Sequence, residues 1–224
     1  ELAKHSDKPT LIVCHTAIGF GSPKAGMASA HGEPLGPDNL AATKEALGWP
    51  CKEPFTVPAE VYEHIAELMK KNEQAEADWQ KLFSDYREAY PDLAGAWDFW
   101  FSEELPLDLM NDKDLWAFEG KEATRASSGT VLGKLAARIP NLFGGSADLA
   151  PSNKSYTKGR GDFSAEDRTG CNMHYGVREH AMSAISNGIA LHGGLRPYCA
   201  TFFVFSDYMK NGMRMSALMK LPVT

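Results

Sequence analysis

The chain has 224 residues, 43% of them hydrophobic, enough to bury a sizeable core as one large domain or two smaller ones. Its formal net charge of -6 leaves no basic footprint for nucleic acid or for an anionic membrane surface. No apolar run approaches the roughly 18 residues of a membrane span, and Cys14, Cys51, Cys171 and Cys199 lack CxxC spacing, which argues against zinc and for reduced thiols in a cytoplasmic protein.

Leu11 to Cys14 is expected to form a short buried strand. Thr16 to Pro37 is a long loop carrying Gly19, Gly21, Gly26, Gly32 and Gly36, and long loops of this kind tend to be functional. Pro37-Asp38-Asn39 starts a helix over Leu40 to Leu47, and Gly48 ends it. Pro54 and Pro58 mark an extended connection. Ala59 to Tyr90 reads as one long polar helix or two, with Val61, Ile65, Leu68 and Met69, then Trp79, Leu82, Phe83 and Tyr86, at helical spacing. Its charged faces suit a solvated connector. Pro91 to Asp114 reads as irregular, with a domain boundary near Pro106.

Ala123 to Arg138 is amphipathic, with Val131, Leu135 and Ile139 in one stripe. Leu142 to Gly145 is a short strand, and Ala150 to Asn172 a long polar loop. Glu179 to His192 is a helix stopped by Gly193-Gly194. Arg196 to Thr201 is a strand and Phe205 to Met219 a helix. Leu221 to Thr224 reads as a new strand without a partner, and both ends of the chain read as cut from a longer protein. The alternation is that of an α/β fold with a parallel sheet. Ligands in such sheets sit at the carboxyl ends of the strands, where the loops after Phe143 and Thr201 lie.

Glu179 is the sharpest candidate for chemistry. It stands at the first turn of an apolar helix, just after the Gly176 turn, where a carboxylate can hold a proton against a ring nitrogen. Phe202, Phe205 and Tyr208 supply aromatic faces for a flat heterocycle. Asp148 follows two glycines at a strand end, and Ser152 and Asn153 could donate to phosphate or sugar oxygens. Arg125 lies in the first turn of its helix, where a cation opposes the macrodipole, and its fork suits a phosphate. His31 sits in the glycine-rich loop, as does Ile18-Gly19-Phe20-Gly21-Ser22, a weak phosphate cradle. His174, His180 and His192 lack metal-ligand spacing. Taken singly, each residue also has a plainer reading: a helix-start carboxylate, core aromatics, a turn aspartate, a surface arginine, a loop histidine.

Six segments nevertheless follow one another in a set order: Lys8 to Ile12, Ile18 to Ser22, His31-Gly32-Glu33-Pro34-Leu35-Gly36, Gly144 to Asn153, Tyr175 to Met182, and Thr201 to Tyr208. Together they resemble transketolase over nearly the whole chain. Deoxyxylulose-phosphate synthase, a related thiamine enzyme, reads differently around the glutamate. The resemblance implies an incomplete, parallel-sheet thiamine diphosphate-binding fold with a helical connector. It implies that residues 1 to 105 end a diphosphate-binding domain with its linker, and that 106 to 224 open a pyrimidine-binding domain.

The implied activity is transfer of a two-carbon ketol unit between sugar phosphates in the pentose phosphate pathway. Glu179 would hold the aminopyrimidine of thiamine diphosphate, and Phe202, Phe205 and Tyr208 would form its pocket. Asp148 and Ile18 would lie near the cofactor, Arg125 and Ser152 would bind the sugar phosphate, and His31 would stand near the reacting carbon and the substrate. The family is a homodimer with its site between subunits, so His31 and Glu179 of one chain would serve two different sites. Its GDG…N stretch, which holds Mg²⁺ (or Ca²⁺) and the diphosphate, is expected before Glu1, and a histidine-containing loop after Thr224. No metal ligand is therefore expected within this chain, and the chain alone is expected to be inactive. Two departures stand out: Glu33 replaces a small residue, and Asn211-Gly212 interrupts a helix, where glycine costs about 1 kcal/mol against alanine. Dihydroxyacetone synthase, or a non-catalytic thiamine-fold binding module, are the competing readings.

Overall fold

The computed structural model describes residues 2–51, 53–102, 104–105, 108–109 and 111–224. The chain forms two compact units, Glu1–Lys81 and Leu82–Thr224. The boundary expected near Pro106 falls on a position outside the described residues.

In the first unit the run Leu11 to Cys14 is not a strand. Leu11, Ile12 and Val13 are 88%, 70% and 66% exposed. An apolar run becomes a strand only where a neighbour takes up its N–H and C=O groups, and no described residue does so. The glycine-rich loop closes on its own backbone, with Gly26 N–H donating to Ile18 O at 2.8 Å and the Ser22 hydroxyl to Gly19 O at 2.7 Å. Helix α1, Pro37–Ala46, opens with proline at its first position, where the missing N–H is not needed. Helix α2, Ala59–Ala89, is one continuous helix of 31 residues with no buried residue, as a solvated connector requires.

The second unit begins within α2. Helix α3, Pro91–Phe101, occupies part of the stretch expected to be irregular. Pro91 sits at the first helical position, where its fixed φ favours the turn. Arg87 grips Asp98 through both guanidinium nitrogens at 2.8 and 2.6 Å, and that hydrogen-bonded pairing holds the Asp98 carboxyl below its usual range.

The remaining elements are α4 (Thr124–Arg138), β1 (Leu142–Ser146), α5 (Ala150–Asn153), β2 (Asn172–His174), α6 (Glu179–His192), β3 (Arg196–Ala200), a 3-10 segment (Phe203–Met209) and α7 (Lys210–Leu218). The loop expected over Ala150 to Asn172 thus contains the short α5 and ends in β2. The single helix expected over Phe205 to Met219 divides in two. All described strands are parallel, in the order β2-β1-β3, so β1 is central and the carboxyl ends share one edge. The closing residues do find a partner: Thr224 N–H donates to Pro197 O at 3.3 Å, and Cys199 N–H to Thr224 O at 2.8 Å. No described helix is long and apolar enough to cross a membrane.

Ala147, Tyr175, Met182 and Met209 form the core, with Met173 and Cys199 packed against it. Met182 is fully buried on α6, a side chain whose burial stabilises the fold by about 1.5–3 kcal/mol. This core lies directly behind the strand ends, so packing sets where α6 begins and where the 3-10 segment runs.

Candidate functional site

Glu179 is the first residue of α6. The chain reaches it through Tyr175, buried at 3% exposure, and Gly176, whose φ of 66° lies in the region that favours glycine. Arg178 then locks the turn, donating from its backbone to Gly176 O and from its side chain to Tyr175 O, both at 2.8 Å. Met182 N–H donates to Arg178 O at 2.8 Å and starts the helix. The result is a glutamate only 8% exposed as a residue, held on a fixed backbone, whose carboxylate has no hydrogen bond to any described residue.

That carboxylate lines a cavity of about 500 Å³, together with Ala147, Asp148, Leu149, Val177, Phe205 and Tyr208. Asp148, Glu179, Phe205 and Tyr208, singled out in the sequence, are therefore brought together. Asp148 adopts a φ of 64°, unusual for a residue with a side chain. Phe205 and Tyr208 are tilted ring to ring with centroids 6.2 Å apart. Phe202 stands one ring further on, stacked against Phe205 at 6.1 Å and 27°. It lines a neighbouring cavity of about 610 Å³ with Thr201, Phe203 and Ser206.

Ser152 lies exposed on α5 and Arg125 exposed on α4, and neither lines the Glu179 cavity. Arg125 has no hydrogen bond or ion pair to a described residue. Asn153 is already engaged: its amide donates to the Ser146 hydroxyl at 2.7 Å, and its oxygen accepts from the Ser155 hydroxyl at 2.7 Å. His31 and Ile18 belong to the first unit, where both are exposed. The charge of Glu33 beside His31 is met by Lys24, 3.3 Å away. His174 pairs with Asp162 at 2.9 Å, which holds the Asp162 carboxyl below its usual range. Among the described residues no group of three His, Cys, Asp or Glu could hold a metal ion.

Sequence reasoning missed Ala147, Leu149 and Val177 as cavity walls, since small and aliphatic residues carry no chemical signal. It also missed the groups beneath the site. Burial pushes the Tyr175 hydroxyl and the Cys199 thiol up. A carboxylate without a partner beside a wall of rings can exchange a proton with a flat heterocyclic base seated in the cavity.

Residues 1–106 match the family described as "Transketolase, thiamine diphosphate binding domain", and residues 121–224 match "Transketolase, pyrimidine binding domain". The transketolase of Bacillus subtilis is 50% identical over 99% of this chain, which corresponds to 33% of that protein. Transketolase 2 of Escherichia coli is 46% identical over 96% of this chain and 32% of its own length. The chain thus spans about a third of the length of the curated relatives it matches. Among solved structures, transketolase from Pichia stipitis in complex with sedoheptulose-7-phosphate superposes with a TM-score of 0.81 at 38% identity, covering 98% of this chain and 34% of that one. Transketolase from Leishmania mexicana gives 0.77 at 33% identity, covering 92% of this chain and 31% of that one.

Proposed function

The chain belongs to the transketolase family, and on that premise we propose that it is a segment of a thiamine diphosphate-dependent transferase, one that moves a two-carbon ketol unit from a ketose phosphate to an aldose phosphate. The observation that carries the reading is Glu179: a buried residue whose carboxylate has no hydrogen-bond partner among the described residues, lining a cavity with Phe205 and Tyr208. The residues fit the cofactor's ring. A cavity of about 500 Å³ lies in the range that takes small ligands, mostly apolar with a few placed polar groups.

When bound, thiamine diphosphate supplies the nucleophilic carbon that carries the ketol unit. Glu179 shares a proton with a nitrogen of its aminopyrimidine ring. Phe202, Phe205 and Tyr208 hold the ring flat and exclude water. Asp148 borders the cofactor beside Glu179, and Ile18 borders the cofactor at the dimer's other site. Arg125 and Ser152 take the phosphate end of the sugar through charge-assisted and neutral hydrogen bonds. His31, which serves the dimer's other site, assists at the reacting carbon there and orients the substrate.

Residues 1–105 are assigned to the diphosphate-binding domain and its linker, and 106–224 to the pyrimidine-binding domain. The intact enzyme works as a homodimer with its site at the subunit interface. It uses Mg²⁺ (or Ca²⁺), held by ligands outside this 224-residue stretch, and acts in the pentose phosphate pathway in the cytoplasm. The test is ketol transfer by the intact protein with thiamine diphosphate and Mg²⁺, set against the 224-residue chain alone. Transfer by the intact protein and none by the segment is expected. No transfer by the intact protein contradicts the activity, and transfer by the segment contradicts the division of the site.

A further inference from the structure

Ser146 is the last residue of the central strand β1 and is 4% exposed. A serine hydroxyl has one donor and two acceptor sites, and all are used here. It donates to Ala200 O at 3.0 Å. It accepts from Leu149 N–H at 3.2 Å and from the Asn153 amide at 2.7 Å. Its hydrogen-bonding capacity is filled, so the orientation is fixed on all sides.

These partners lead to both walls of the Glu179 cavity. Leu149 N–H closes the turn Ser146-Ala147-Asp148-Leu149, whose last three residues line the cavity. That turn contains Asp148 at its left-handed φ of 64°, a conformation that costs about 1–2 kcal/mol for a residue with a Cβ and needs support from its surroundings. Asn153, itself braced by Ser155, ties α5 to the same hydroxyl. On the other side Ala200 ends β3, and its carbonyl accepts from both Ser146 Oγ and Ala147 N–H, the latter at 3.1 Å. Two residues later Phe202 begins the segment that carries Phe205 and Tyr208.

We infer that Ser146 is a positioning residue for the cofactor pocket, setting the Asp148 turn and the exit of β3 at a common distance. This rests on the proposed function, since it takes the Glu179 cavity to be the place where the ring of thiamine diphosphate seats. Ser146 does not itself line the cavity, so it acts through the residues that do. Replacing it by alanine leaves Leu149 N–H and the Asn153 amide without their acceptor, and both walls lose a shared anchor.

The experiment uses the intact protein with thiamine diphosphate and Mg²⁺ as probes. Cofactor affinity is measured by calorimetric titration for wild type, Ser146→Ala and Ser146→Thr, and the KM for sugar phosphate at saturating cofactor is measured alongside. Ser146→Ala is expected to weaken cofactor binding about tenfold or more, leave the sugar KM within about twofold, and recover most of the loss as Ser146→Thr. Should Ser146→Ala lose its cooperative melting, Asn153→Ala removes one arm of the same network at a half-buried site and carries the same expectation for cofactor affinity. Unchanged cofactor affinity in the folded variant overturns the inference, as does a threonine variant as weak as alanine. Wild type that binds no thiamine diphosphate overturns the transketolase reading instead, and this inference with it.

Discussion

Gly212 of α7 rests its backbone directly on Ser183 of α6: a methyl group at position 212 would overlap the Ser183 hydroxyl. The approach is secured by Asn187, whose amide donates to Gly212 O at 3.0 Å and whose oxygen accepts from the Ser216 hydroxyl at 2.6 Å. The glycine that looked like a flaw in a helix is the contact that lets the aromatic segment sit beside the helix bearing Glu179. Gly212→Ala is therefore expected to destabilise the intact protein by up to about 2 kcal/mol net, about 1–3 kcal/mol of overpacking less roughly 1 kcal/mol gained in helix propensity. Denaturant unfolding measures the difference, and a more stable alanine variant contradicts it.

Tyr198 gives a pH-dependent prediction. Its ring is 5% exposed and its hydroxyl donates to Ser155 O at 2.9 Å. Burial pushes its pKa from 10.0 up to about 12. A group raised in this way contributes stability that is fully present below the unfolded value and is lost as pH rises through the folded one. Stability of the intact protein is thus expected to fall between pH 10 and about 12, with the Tyr198 phenol among those that titrate late by ultraviolet absorbance. Tyr198→Phe flattens this part of the profile. An unchanged alkaline limb in Tyr198→Phe argues against it.

The 224-residue chain on its own is expected to self-associate. Leu11, Ile12 and Val13 stand in solvent, and Phe203 is 95% exposed. Sedimentation of the segment at rising concentration measures this. A monodisperse segment that melts cooperatively contradicts it.

Much of the second unit could be read from sequence because its elements carry local punctuation. The Gly176 turn and Gly193-Gly194 bracket α6, and its observed bounds, Glu179–His192, are those expected. The apolar stripe of α4 gave that helix to within a residue. What was not legible depends on partners. Leu11 to Cys14 has the composition of a strand and no neighbour to pair with among the described residues. Asn172–His174 has no apolar alternation and is a strand because β1 lies beside it. Pro91 opens a helix in a stretch that reads as irregular in sequence.

The candidate site divides in the same way. Glu179, Asp148, Phe205 and Tyr208 were legible because their residue types are chemically distinctive and their order resembles a family. Ser146 was hidden, since a serine at a strand end carries no sign in sequence that three hydrogen bonds meet on it. Asn153 was assigned a donor's role toward substrate, and folding spends both ends of its side chain internally.

In the proposed function Glu179 works by sharing a proton with a bound ring. The most direct measurement is kcat for ketol transfer by the intact protein as wild type and as Glu179→Gln, at saturating thiamine diphosphate. Glutamine keeps the shape and loses the titratable proton. A fall of about 10²–10⁴-fold in kcat is expected, with cofactor still bound. A variant that turns over within a few-fold of wild type contradicts it, and would leave Glu179 as a carboxylate that merely begins a helix.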